Sequence, residues 1–258
     1  MRMLRFAAVA AVALALSAPL AATWTTSGAA AAVAPERNWS FDGIFGTFDR
    51  GALQRGFQVY REGCSVCQSL RLVAYRNLAE IGFSEDQVKE IAASVEVTDG
   101  PNDEGEMFQR KGRPSDRFVS PFPNPQAARA ANNGALPPDL SLIVKARSGG
   151  ASYIHGILTG YRDPPKDFEM ADGMAYNAVF PGNAIAMPAP LTDDQVEYAD
   201  GTKATVDRMA SDVTTFLAWA ASPEMERRKR MGIKVMLFLL VLTGMLYAVK
   251  RKVWGDVH

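Results

Sequence analysis

The chain has little of what most metal and disulfide scaffolds are built from. Its 258 residues hold two cysteines, Cys64 and Cys67, and two histidines, His155 and His258. A structural zinc centre takes about four nitrogen or sulfur ligands, and beyond the cysteine pair the chain offers only those two histidines, which disfavours one. With two cysteines there is no multi-bridge framework, and a disulfide between residues three apart closes too small a loop to stabilise much. There is also no excess of one charge, since 28 basic residues balance 28 acidic ones. A nucleic-acid binder presents a basic face, so that class is excluded.

The two cysteines are themselves the most informative stretch, Gly63-Cys64-Ser65-Val66-Cys67-Gln68. Thiols three positions apart lie within one helical turn and can hold one flat ligand between them. C-x-x-C-H is the attachment signature of c-type haem, in which both thiols form thioethers and the histidine ligates iron. This chain has both anchors, with Gln68 in the histidine's place. A thioredoxin-type dithiol also uses C-x-x-C at a helix start. That fold needs a βαβ pattern before the motif, whereas Arg50 to Glu62 (RGALQRGFQVYRE) reads as a polar helix with Leu53, Phe57 and Tyr60 at helical spacing.

Both ends carry apolar runs. Arg2 and Arg5 precede an apolar stretch from Phe6 to Ala22 and small residues from Ser27 to Ala34, which predicts a signal peptide over 1–34. Pro35 disfavours cleavage directly after Ala34. Near the other end, Val235 to Val249 extends to Met231 if Lys234 snorkels, giving a span over 231–249. Nineteen residues at 1.5 Å each reach about 28 Å, enough to cross a hydrocarbon core. The alternative is a buried core helix, which the basic flanks Arg227–Arg230 and Lys250–Lys252 oppose. Basic residues on both sides leave orientation to the signal peptide. The body over 35–225 is then exported and 250–258 is a cytoplasmic tail.

Within the body, Asn38 to Arg50 predicts an ordered aromatic arm. Helical patterns follow at Leu70–Leu78 and at Phe83–Val95, the second with Ser84 as N-cap and Glu85 and Asp86 in its first turn. Thr98 to Gly112 is polar and acidic, with Asp99, Asp103, Glu104 and Glu106. It reads as a solvated loop, or as one that steers a basic partner. Pro114 to Pro138 is punctuated by proline and suits a loop wrapped around a flat ligand. Short helical patterns cover Ser141–Arg147 and Ala151–Thr159, and 163–178 reads as loop. Met187, in Phe180-Pro181-Gly182-Asn183-Ala184-Ile185-Ala186-Met187-Pro188, stands where a sixth haem ligand would, or else fills core space. Val206 to Ala220 closes the body as an amphipathic helix.

In this order the pieces resemble the cytochrome c1 family, the haem-bearing subunit of the ubiquinol:cytochrome c oxidoreductase (cytochrome bc1) complex, in its bacterial form. The resemblance covers Trp39 to Trp254. It is carried by Arg55-Gly56-Phe57-Gln58-Val59-Tyr60-Arg61-Glu62, by Ala128 through Ser141 (ARAANNGALPPDLS), by Leu158-Thr159-Gly160-Tyr161 and by Ile185-Ala186-Met187-Pro188. Phe216 to Ala221 and Arg228 to Gly232 add to it. It implies an all-α, class I cytochrome c-type domain with long loops and one C-terminal transmembrane helix. It implies one haem c, covalent through Cys64 and Cys67, with Met187 as distal iron ligand. Asn132, Ala135, Pro138 and Ile143 would line the pocket, and Arg147 and Tyr153 would hold the propionates. The partners implied are cytochrome b, the Rieske iron-sulfur protein as electron donor and a soluble or anchored cytochrome c as acceptor. The chain would be an electron-transfer subunit without catalysis of its own, in the bacterial inner membrane with its haem domain in the periplasm.

Gln68 is the departure from the family pattern. An amide oxygen is a harder, weaker-field donor than imidazole and suits electron-transfer iron poorly. Three accounts are open: a single histidine-to-glutamine change in an otherwise intact cytochrome, a variant with altered ligation, or a haem-free relative. His155 is the one candidate substitute ligand, since His258 falls on the other side of the membrane. The alternative functions are a haem-free or ligation-impaired structural subunit and an exported dithiol protein.

Overall fold

A computed structural model of the protein describes residues 34–255. The expected signal peptide falls almost entirely outside that range, as does the end of the tail. In chain order the elements are α1 (Arg50–Val59), a π-helical turn (Tyr60–Cys64), a 3-10 turn (Tyr75–Ile81), α2 (Glu85–Ala93), β1 (Glu96–Asp99), β2 (Phe108–Lys111), α3 (Pro125–Ala131), α4 (Ile143–Ala146), α5 (Gly150–Thr159), β3 (Ala175–Tyr176), β4 (Ala184–Ile185), α6 (Val206–Ala221) and α7 (Met225–Trp254). The fold is mainly helical, with two small antiparallel ribbons, β1–β2 and β3–β4.

The helices start where side chains satisfy free N–H groups. Asp49 accepts from Gly51 and Ala52, Ser84 forms a capping box with Gln87, Asn124 accepts from Ala127, and Thr205 from Arg208. The framework is α1 packed on α6. Gly56 sits at their contact, where a Cβ would overlap the Asp212 carbonyl, so glycine sets how closely the two helices approach. The adjoining Arg55 reaches across with Nε 2.8 Å and Nη2 3.2 Å from the Asp212 carboxylate and Nη1 2.8 Å from Asp200. Phe57 and Tyr60 lie on the same side, with ring centroids 5.8 and 5.9 Å from Phe216; Trp219 stacks beyond it at 5.6 Å.

Several sequence expectations change. The helix over 50–62 ends as α-helix at Val59 and widens into the π-turn that delivers Cys64. The pattern at Leu70–Leu78 is displaced: residues 70–74 are turns and a bridge, and the 3-10 turn runs Tyr75–Ile81. The acidic loop is partly a hairpin, with Glu96 opposite Lys111 and Asp99 opposite Phe108. Arg110 ties Asp99 to Asp116 across it, so Asp99 is not free, while Asp103, Glu104 and Glu106 are exposed at its tip. The proline-rich wrap contains α3, started by Asn124 with Pro125 in its first turn. Residues 163–178 include strand β3.

The C-terminal helix is longer than the apolar run, 30 residues from Met225 to Trp254, and none of its apolar window is buried. The buried-core-helix alternative therefore fails.

Candidate cofactor site

Both cysteines are free thiols on one turn. The carbonyl of Cys64 accepts from Cys67 N at 3.2 Å and from Gln68 N at 2.9 Å, which curls the motif tightly. Cys64 is buried and Cys67 exposed. Burial, and after it the neighbouring Cys67, pushes the Cys64 thiol up to about 12. A buried, protonated thiol is a poor nucleophile, so Cys64 is not the attacking sulfur of a redox dithiol.

The apolar residues divide into two clusters. The larger includes Cys64, Leu70, Leu140 and Ile143 together with the α1–α6 core. The smaller is built on Ala34, Ile157, Val179 and Ile185, with Tyr153, Tyr161 and Met187 packed against it. Gln68 and Met187 join across the division: Gln68 Nε2 lies 3.6 Å from Met187 Sδ, bringing together residues 119 apart in sequence. The two positions that the resemblance assigns to the iron's axial sides thus face each other.

Met187 is held from behind. Tyr161 Oη donates to the Met187 carbonyl at 3.1 Å. Asn177, wholly buried, donates to the Ile157 carbonyl at 2.8 Å, and its side-chain oxygen accepts from Val179 N at 3.0 Å and Phe180 N at 3.1 Å. One amide therefore pins the loop that carries the sulfur to α5. Sequence reasoning gave neither residue a role. Tyr161 lies in a quoted motif, but nothing in its neighbourhood marks a hydrogen bond 26 residues away.

On the other side Asp139 organises the segment after the cysteines. Its carboxylate accepts from Ser69 Oγ at 2.8 Å, Arg71 N at 3.0 Å and Ser141 N at 3.0 Å. Burial pushes this carboxyl upward, but the hydrogen bonds outweigh it and hold the group down at about 2. A depressed carboxyl pKa stabilises the fold above its unfolded value near 4, and that contribution is lost as pH falls from about 4 through 2. Asp139→Asn is expected to cost about 2 kcal/mol at neutral pH and to flatten acid unfolding over that window, as read by denaturation at stepped pH. An unchanged acid profile would show that the three donors contribute no linkage.

The remaining expected pocket residues are distributed unevenly. Ile143 is buried, Ala135 half-buried and Pro138 exposed. Asn132 spends its amide on the Ala128 carbonyl at 2.7 Å, closing α3. Arg147 and Tyr153 line one cavity of about 810 Å³ with Arg37, Trp39 and Ser152. His155 is buried elsewhere in purpose: its Nε2 lies 3.0 Å from Arg37 Nη1 and 3.1 Å from Asp207 Oδ1, and Trp39 meets its ring edge-on. Its ring serves the clasp between the N-terminal arm and α6, which opposes the substitute-ligand expectation. No cluster of three His, Cys, Asp or Glu among the described residues suits a metal ion.

The donor set fits a covalently held haem in every position except one. Two thiols share a turn, a thioether opposes them from a separate apolar cluster, and only the imidazole is replaced by an amide. By fold and site the protein belongs to the c-type cytochromes carried on an apolar helix. The Cytochrome C1 family profile matches residues 39–257. Cytochrome c1 of Rhodospirillum rubrum is 52% identical over 238 residues, covering 86% of this chain and 88% of the relative. A mitochondrial cytochrome c1 heme protein of Arabidopsis thaliana is 51% identical over 223 residues, covering 86% and 72%. Cytochrome b/c1 of Bradyrhizobium diazoefficiens is 50% identical over 246 residues, with 87% of this chain aligned to 36% of that protein's length. The chain belongs to the cytochrome c1 family.

Proposed function

We infer that the chain is the haem c-carrying electron-transfer subunit of a ubiquinol:cytochrome c oxidoreductase, tethered by α7 with its body on the periplasmic side of a bacterial inner membrane. On this reading 1–34 is removed, 35–225 is the exported domain, 231–249 spans and 250–258 is cytoplasmic. The observation that carries it is the approach of Gln68 to Met187 beside two free thiols. Haem c, when bound, supplies one-electron iron chemistry.

Each residue's part follows from its chemistry. Cys64 and Cys67 would hold haem c through thioether bonds, and the Cys64 sulfur lies buried from water. Met187 offers a thioether sulfur, a ligand that favours the reduced metal. Tyr161 and Asn177 fix where that sulfur points. Arg147 and Tyr153, at the edge of their cavity, supply a guanidinium and a phenol to carboxylates. Gln68 stands where the family's histidine would, with an amide whose nitrogen donates to the Met187 sulfur and whose oxygen alone in that side chain would have a lone pair to offer a metal.

The name of the Bradyrhizobium relative joins b and c1, which supports cytochrome b as a neighbour. Electrons would arrive from the Rieske iron-sulfur protein and leave to a cytochrome c, with Asp103, Glu104 and Glu106 at the hairpin tip offering negative charge to a basic acceptor.

The test is the mass of the mature polypeptide extracted from membranes. Attachment adds the mass of one haem and leaves both thiols closed to alkylation. A bare polypeptide with two alkylated cysteines would overturn this reading in favour of a haem-free structural subunit or a dithiol protein.

A further inference from the structure

The arm between Trp39 and Asp49 is fastened to the base of α7 at two points. Lys229 Nζ donates to the carbonyls of Phe41 at 2.7 Å and Gly46 at 3.1 Å. Glu226, one turn earlier, accepts from Phe48 N at 2.8 Å and from Arg50 Nη2 at 2.8 Å. Between the two carbonyls that Lys229 grips, the chain makes a closed loop, Ser40–Thr47, joined by Thr47 N to Ser40 O at 3.0 Å. Its shape is fixed by residue type as well: Gly43 has a φ of +67°, and a Cβ on Gly46 would overlap the Asp42 carbonyl. Phe41 and Phe48, 5.2 Å apart between centroids, root it in the domain.

At the tip of this rigid loop Ile44 is 69% and Phe45 83% exposed. Neither touches the core that its neighbours serve. Their height is set by Lys229, only two residues before Met231, where the exposed apolar surface of α7 begins. Two residues correspond to about 3 Å along a helix. Arg227, Arg228 and Arg230 surround the same level with positive charge. Apolar side chains beside a ring of basic ones, at the start of a membrane helix, match the chemistry of the headgroup boundary.

We propose that the Ile44–Phe45 loop is a second membrane contact, a wedge inserted into the headgroup and upper acyl region of an anionic bilayer beside α7. It rests on α7 being a membrane anchor, and on nothing about the haem. Continuity with that helix argues for lipid as the occupant.

The test uses the full chain in nanodiscs of phosphatidylcholine and phosphatidylglycerol, with trifluoromethyl-phenylalanine placed singly at Phe45, at Phe238 in mid-helix or at Phe108 on the exposed hairpin. Fluorine relaxation is read with dissolved oxygen, which concentrates in lipid, and with an aqueous nickel chelate. The expected result is an oxygen effect at position 45 several-fold above its nickel effect, as at 238 and opposite to 108. Lys229→Gln is expected to move position 45 toward the behaviour of 108 and leave 238 unchanged. Nickel dominance at 45 with oxygen dominance at 238 would overturn the wedge and leave the anchor standing. Nickel access at 238 would overturn the anchor and the wedge with it. Loss of both effects at 45 on assembly with the other subunits would overturn lipid in favour of a protein cover.

Discussion

Replacing Gln68 by histidine is expected to convert a high-spin or mixed-spin haem spectrum into a low-spin one. Iron's spin state follows the field of its axial ligands. Imidazole nitrogen is a strong-field donor at haem, whereas an amide oxygen is weak and an amide nitrogen keeps both protons and has no lone pair to give. In this chain the Gln68 nitrogen lies against the Met187 sulfur at 3.6 Å, so the amide presents a donor where a ligand is wanted. Axial identity spreads haem potentials over roughly 0.8 V, and the His/Met pair is expected to move the potential by on the order of a tenth of that span or more. Electron paramagnetic resonance and a redox titration on the purified pair of proteins read both effects. A low-spin spectrum with Gln68 in place, unchanged by the substitution, would show that another group ligates the iron.

Asp212→Ala is expected to have the largest effect on stability, a loss of about 3–5 kcal/mol. The Asp212 side chain is 1% exposed and meets two nitrogens of Arg55. Burial pushes the Asp212 carboxyl upward, and the Arg55 fork opposes that shift. Removing the carboxylate leaves a guanidinium in the α1–α6 contact with Asp200 alone, which is nearly half exposed. At roughly 2–4 °C per kcal/mol for a domain of this size, the melting temperature is expected to fall by on the order of 10 °C. The double substitution Arg55→Met, Asp212→Leu is expected to recover part of that loss, because a buried pair is costly to break and cheap to replace. A fall no larger than that of a surface substitution would mean that the ion pair carries no more than its exposed neighbour, Arg55 to Asp200.

The sequence reveals the parts of this fold that depend on local chemistry. Ser84 with two acidic residues behind it announces α2 correctly, and Val206 begins α6 where the amphipathic pattern begins. The run Arg55-Gly56-Phe57 is conspicuous in sequence, but its three separate uses, an ion pair, a close helix contact and an aromatic cluster, need α6, about 157 residues away. The same limit hid the hairpin: Arg110 must meet Asp99 and Asp116 before an acidic stretch becomes a ribbon. The helix α3 was concealed by its surroundings, since Asn124-Pro125 is a helix start that sits inside a proline run read as wrap. At the site, the cysteine pair is plain from spacing alone. Met187 stands out by its proline-flanked loop, though only the resemblance chooses ligand over core filler, and Asn177, a buried amide with no motif, left no mark that one sequence can show.

The clasp at the base of α7 also bears on how electrons come and go. Glu226 and Lys229 both hold the arm, and only Ser222–Glu224 joins α6 to α7, so turning the head on its mast would break these four hydrogen bonds. A redox centre carried on such a post would be held near one height and one facing above the lipid. Any travel needed to close the gap for tunnelling then falls to the molecules that visit it.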